Sequence, residues 1–274
     1  MKQMKYVFVL VVLCITNSSF AQSPEKAQMT IALSSPGKPY KLRVDLFRGS
    51  IKVTGHSGNN IIMNVETEEE KVNQTKEKTK DGLKKIATTG SIDLSATEKN
   101  NEVSITNGNM LLKVNVEIKV PQNGSLVLKT LQNGDVTVNN VKGELEINNV
   151  DGNIKLSNIA GSAVANTVNG NVSASLVSVT DGKPMAFSSF SGDVNLTLPA
   201  STKANLKMKT DRGEIFSDFE VAVEKNTAPI TKTYNGREYK LTKDEWTLGK
   251  INGGGAELMI KSWGGNVLIR KVKQ

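Results

Sequence analysis

The residues with the most chemical potential in this chain are carboxylates that directly follow glycines: Asp135, Glu144, Asp193 and Glu214. Paired acids on a rigid frame can do general acid–base work on a glycosidic bond, or hold calcium. The same position is occupied by Asn153, Ser162 and Asn171, however, so it reads as a solvated turn position. Calcium-binding β-roll repeats carry a GGxGxDx pattern, which this chain lacks. His56 is the sole histidine and lies in Gly55–His56–Ser57–Gly58, a turn between strands. A lone histidine can act as a base only beside an oriented nucleophile, and zinc sites draw on clustered Cys and His. The run Ile251–Asn252–Gly253–Gly254–Gly255 lacks the Lys–Ser/Thr ending and the strand-to-helix setting of a phosphate loop. Asn123, Asn171 and Asn195 stand in glycosylation-like triplets and read as strand and turn chemistry. Trp246 and Trp263 offer sugar-stacking platforms if exposed and cap packing if buried. No catalytic, cofactor-binding or metal-ligating residue is assigned, and no cofactor is expected.

The elements that must carry these residues show themselves as a repeat. Glycines 134, 143, 152, 161 and 170 are nine residues apart. Each is followed by alternating small or apolar residues: Val136 and Val138, Leu145 and Ile147, Ile154 and Leu156, Ala163 and Ala165, Val172 and Ala174. Period-2 alternation marks a strand with one buried face. Val141, Val150, Ile159 and Val168 close the units after a shift of parity, as residues turned inward again at a corner. Asn139, Asn148 and Asn166, with Asn140, Asn149 and Asn158, recur before the corners, where asparagine tolerates turn backbone. Stacked in register, such amides can bond along the axis. A strand of this length cannot bury its apolar face alone, and stacking solves that. The expected fold is all-β, a β-solenoid of glycine-headed nine-residue units, two units to a coil of about eighteen residues with two opposed sheets.

Looser copies flank the block, at Gly49, Gly124, Gly192, Gly213 and Gly265. Tyr40–Leu42–Val44–Leu46 and Val114–Val116–Ile118–Val120 alternate strictly. Between them the Glu- and Lys-rich stretch 68–87, with Val72, Leu83 and Ile86, reads as a short N-terminal capping helix. Such a cap would cover the exposed edges of a solenoid end. Asn235–Gly236 marks a hairpin. The expected organisation is 1–21 a signal peptide, 22–120 an N-terminal β cap, 121–220 regular solenoid repeats, and 221–274 a C-terminal hairpin with closing strands.

The N-terminus has the form of a secretory signal. Lys2 and Lys5 precede an uncharged apolar run from Tyr6 to Ile15, and Ser19 and Ala21 suit a cleavage site after Ala21. The run is too short for a membrane span, which needs about 20 apolar residues. Cys14, the only cysteine, lies within it and follows Leu13, unlike a lipoprotein cysteine. An exported chain without residues 1–21 has no cysteine and gains no stability from disulfides. It carries 33 basic and 27 acidic residues, distributed as +3 over 22–120, −2 over 121–220 and +5 over 221–274. That spread, with 5% aromatics, lacks the focused basic footprint of a nucleic-acid binder.

GSIKVTG at 49–55, the run 120–176, SGDVNLTLPASTKANLKMKTDRGEIFSDF at 191–219 and INGGGAELMIKSWGGNVLIRK at 251–271 resemble the bacterial putative adhesin family. The resemblance implies a secreted β-solenoid or β-roll domain and brings no catalytic residues with it. The expected function is a non-enzymatic, adhesin-like or scaffold protein of the cell envelope or surface, exported to the periplasm, cell surface or medium. Its partner would be an envelope protein or glycan. Alternatives are a carbohydrate-active enzyme on a β-helix, which requires convergent carboxylates in a groove, and an envelope regulatory or sensory protein.

Overall fold

The computed structural model describes residues 26–68, 79–80, 83–84, 93–224, 230–236, 238–243 and 245–273. These are strands, turns and bends, with no helix among the described residues. The expected signal peptide lies outside them. The helix expected near 68–87 falls mostly outside them as well. Where that span is described it is extended: Glu68 ends a strand, and Thr79–Lys80 pairs antiparallel with Leu83–Lys84.

The strands stack into two opposed sheets. The first runs, neighbour by neighbour, through Leu94–Lys99, Glu102–Asn107, Tyr40–Arg48, Gly124–Gln132, Lys142–Asn149, the C-terminal half of Ile154–Thr167, Met185–Ser189, Ala256–Ser262, Ala204–Thr210, Thr247–Ile251 and Ala222–Glu224. The second runs through Lys26–Ile31, Ile61–Glu68, Lys113–Pro121, Ile51–His56, Val136–Asn139, the N-terminal half of Ile154–Thr167, Val172–Val179, Val194–Leu198, Val267–Lys271 and Ile215–Ser217. Pairing is parallel except at both ends of the first stack and at the N-terminal end of the second, where antiparallel strands close the stack. Ile215–Ser217 ends the second stack in parallel pairing. Ile154–Thr167 bends at a corner and serves both sheets.

Val136 pairs with Ile154, and Ile154 with Val172, so equivalent residues of the central coils are eighteen apart. The inward residues of each strand are almost completely buried and form one cluster, from Leu33 to Ile269. Phe187, the largest fully buried side chain, pairs in register with Ala165, so a bulky residue follows a small one along the core.

Coil order departs from chain order at both ends. Tyr40–His56 lies between the coil of Glu102–Pro121 and that of Gly124–Asn139. Ala256–Lys271 lies between the coil of Met185–Leu198 and that of Ala204–Ser217. Two segments far apart in sequence are thus each clasped between coils.

The two corners of a coil differ. At one, Asn140 and Asn158 adopt φ of 58° and 54°. This turns Val141 and Ile159 into the core, both with 0% exposure. At the other, alternation runs on without a break, so Asn149 and Thr167 point inward and Val150 and Val168 point out, exposed by 40% and 42%. The inward placement expected for Val150 and Val168 is therefore corrected. This second corner is lined by stacked glycines. A Cβ on Gly152 would overlap the Gly134 carbonyl oxygen, and one on Gly170 the Gly152 oxygen.

Candidate interaction surface

The carboxylates singled out by their spacing do not converge. Asp135 and Asp193 belong to a ladder of side-chain acceptors climbing the glycine-lined corner. The Asp135 Oδ1 accepts the Asn153 backbone N–H at 2.7 Å, and the Asn153 Oδ1 accepts that of Asn171 at 2.9 Å. The Asn171 Oδ1 accepts that of Asp193 at 2.8 Å, and the Asp193 Oδ1 that of Asn266 at 2.7 Å. The Asn266 Oδ1 accepts from Glu214 at 2.9 Å. Ser50 and Asn115 extend the ladder below Asp135. Asp and Asn alternate freely here because one oxygen directed at the next coil is all the position requires. With coils about 5 Å apart, Asp135 lies about 14 Å from Asp193. Glu144 lies at the opposite corner, where the Lys183 ammonium 2.9 Å away lowers its pKa by hydrogen bond and charge. Among the described residues no group of three His, Cys, Asp or Glu is close enough to hold a metal ion.

Just inside that ladder stands a buried polar column. The hydroxyls of Thr130, Thr167, Ser189, Ser262 and Thr210 donate to the carbonyls of Gly49, Gly152, Gly170, Gly192 and Gly265 on the adjacent coil. The Asn149 amide does the same to Gly134 at 2.9 Å. A corner this tight leaves backbone carbonyls pointing along the core, and an unpaired one costs about 1–3 kcal/mol.

The residues after Thr130, Asn149, Thr167, Ser189 and Ser262 point outward. With Phe47, which follows Leu46, the partner of Thr130, they form a ridge: Phe47, Leu131, Val150, Val168, Phe190 and Trp263, one per successive coil, with Asp211 after Thr210 beyond its end. Leu131 is 42% exposed and Phe190 51%. The Trp263 ring stacks on Phe190 at 4.8 Å with 3° between planes. Arg212 lies 3.9 Å from its centre, brought by the coil on the other side. Both faces of Trp263 are covered, so only its edge is presented and it is no sugar platform. Lys207 and Lys209 stand 4.8 and 6.0 Å from the Trp246 ring.

The other sequence candidates are turn residues. The His56 Nδ1 accepts the Gly58 N–H, and its Nε2 donates to the Asn60 carbonyl, both at 2.9 Å, so both ring nitrogens are spent on the turn. Asn252 bonds the carbonyls of Ala200 and Thr202, and Gly253 and Gly254 take positive φ, making Ile251–Gly255 a tight connection between strands. The Asn195 Oδ1 accepts from Arg270 on the next coil. On the outer face of the first sheet, Asn166 donates to Asn148 at 3.3 Å and Ser188 to Asn166 at 2.7 Å. At the N-terminal end of that face a shallow recess of about 440 Å³ is lined by Lys41, Arg43, Lys99 and Glu102 among others.

Residues 126–245 match the Toastrack DUF4097 family. No curated protein matches the chain in sequence. A solved structure described as a putative cell adhesion protein from Clostridium sporogenes is similar with a TM-score of 0.53 and 10% identity, covering 91% of this chain and 100% of that one. Another, described as a putative adhesin from Bacteroides fragilis, is 13% identical with a TM-score of 0.42, covering 91% and 98%. The Toastrack match and the Clostridium fold support the resemblance to the putative adhesin family, whose function is unknown. The ridge begins before the Toastrack match, at Phe47, and ends after it, at Trp263. Sequence reasoning missed it, although strict alternation through Leu145, Ile147 and Asn149 already turns Val150 outward. No helix among the described residues is long and apolar enough to cross a membrane.

Proposed function

We propose that this is a non-enzymatic, adhesin-like protein, exported by the signal at 1–21, that presents the rigid outer face of its first sheet to an envelope protein or glycan. The observation that carries the reading is the fate of its acids. Asp135 and Asp193, the best candidates for chemistry, are interchangeable rungs in a ladder with Asn153, Asn171 and Asn266. Glycoside cleavage requires two facing carboxylates, whereas Asp135 and Asp193 stand about 14 Å apart on coils about 5 Å apart, and the outer face of the first sheet bears the Asn148–Asn166–Ser188 row. The similar solved structure described as a putative cell adhesion protein supports the same reading.

Its test is a binding screen of residues 22–274 against envelope glycans and surface proteins. Saturable binding to a component of that set is expected, weakened at least tenfold by Asn148→Lys with Asn166→Lys while the circular dichroism spectrum stays unchanged. Binding that ignores the double variant would remove the face from the proposal.

A further inference from the structure

The outward ridge at the second corner is a regular apolar feature of the surface, and it has two unlike flanks. On the side of the first sheet lie Lys129 and Lys261, each two residues before a ridge member. On the side of the second sheet lie Asp135 and Asp193, on the turn that follows the ridge. Lys129 and Asp135 belong to one coil, and Lys261 lies one coil from Asp193. From Leu131 to Trp263 the ridge therefore runs between a flank whose charges are the basic Lys129 and Lys261 and one that carries the acidic Asp135 and Asp193; beside Phe47 the first flank carries Asp45 instead.

We propose that this ridge is a self-association surface, in which two copies of the chain pack ridge to ridge with their solenoid axes parallel. This goes beyond the binding reading above and does not depend on it. Charge chooses both the partner and its direction. A two-fold axis along the solenoid turns the acidic flank of one copy toward the basic flank of the other, so Lys129 faces the second copy's Asp135. A two-fold axis across the ridge would set acid against acid and base against base. Spacing agrees with charge: knobs about 5 Å apart meet an identical row step for step, which a peptide in extended conformation, with its side chains on one face about 7 Å apart, cannot do. The ridge is about 25 Å long and narrow, which places the dimer among the smaller, weaker interfaces.

The parallel two-fold puts every ridge residue opposite its own copy. Residues 22–274 contain no cysteine, so single cysteines report this directly. Leu131→Cys and Phe190→Cys, tested separately under mild oxidation, should each crosslink to a dimer. Val177→Cys, 56% exposed and away from the ridge, should stay monomeric. Sedimentation velocity of the unmodified chain from 1 to about 300 µM should show a concentration-dependent dimer that weakens in high salt and is lost in Val150→Asp with Val168→Asp. Both of those side chains are solvent-exposed, and an unchanged thermal transition confirms the fold. A monomer across the whole range overturns the proposal. So does crosslinking of Val177→Cys equal to that of the ridge variants. Crosslinking of Leu131→Cys only when mixed with Phe190→Cys shows antiparallel copies and overturns the parallel arrangement. A monomer whose ridge variants lose binding to an envelope ligand gives the ridge to another partner and overturns self-association.

Discussion

Tyr40 shows how a single side chain is committed to structure here. It is 4% exposed, its hydroxyl donates to the Pro121 carbonyl at 2.8 Å, and burial pushes its pKa well above the ordinary tyrosine range. A group whose pKa is raised in the fold contributes stability that is fully present below its unfolded pKa, about 10 for tyrosine. That contribution falls as pH rises beyond this value, because the folded state resists losing the proton. Urea titrations at several pH values should therefore show the protein weakening above about pH 10. Tyr40→Phe should be less stable at pH 8 by about 1 kcal/mol and should have a flatter alkaline limb. An alkaline limb as steep in the variant would assign the effect to other groups. His56, Asp135 and Asp193 make the same point: each polar group that looked reactive is held by a neighbouring backbone atom.

Between coils, the unit of stability is the axial row. The buried hydroxyl column satisfies the carbonyls that the glycine corner turns inward, and it explains why Thr130, Thr167, Ser189 and Ser262 are polar at core positions. Thr167→Val keeps the shape and deletes the donor to Gly152. Chemical denaturation should show a loss of about 1–3 kcal/mol, with Thr167→Ser losing less. Equal stability of Thr167→Val would mean that the carbonyl finds another donor. Alternation after Gly134, Gly143 and Gly152 made the strands and their inward residues legible in sequence, because period 2 follows from strand geometry alone. The difference between the corners was not legible. It depends on whether an asparagine enters left-handed backbone, as Asn140 and Asn158 do, or stays extended, as Asn149 does. Both options are open to the same residue type.

At the scale of the molecule, the ends are secured by interleaving. Coils 124–198 follow chain order, but the segments 40–56 and 256–271 slot between coils that are near neighbours in sequence. No local pattern could reveal that. Gly265–Val267–Ile269 looks like any other unit, and its place depends on pairing with strands about fifty and seventy residues away. A chain ending at residue 245 should therefore lose more than its last strands, since Met185–Leu198 and Ala204–Ser217 lose the coil they share. Unfolding followed by tryptophan-independent circular dichroism should change from one cooperative transition to a broad one at lower temperature. A sharp, unshifted transition would show that the interleaved coil is dispensable.

The sharpest division between a presenting surface and a catalytic groove is made by measuring binding and cleavage together. Residues 22–274 and the variant Asp135→Asn with Asp193→Asn would be incubated with envelope polysaccharides, following bound glycan and newly released reducing ends in one sample. Since Asn153 and Asn171 already fill the equivalent rungs, the variant keeps the ladder. A presenting surface gives binding without released ends, the same in both proteins. Release of reducing ends by the native chain, abolished in the variant, would contradict it and make those two carboxylates catalytic.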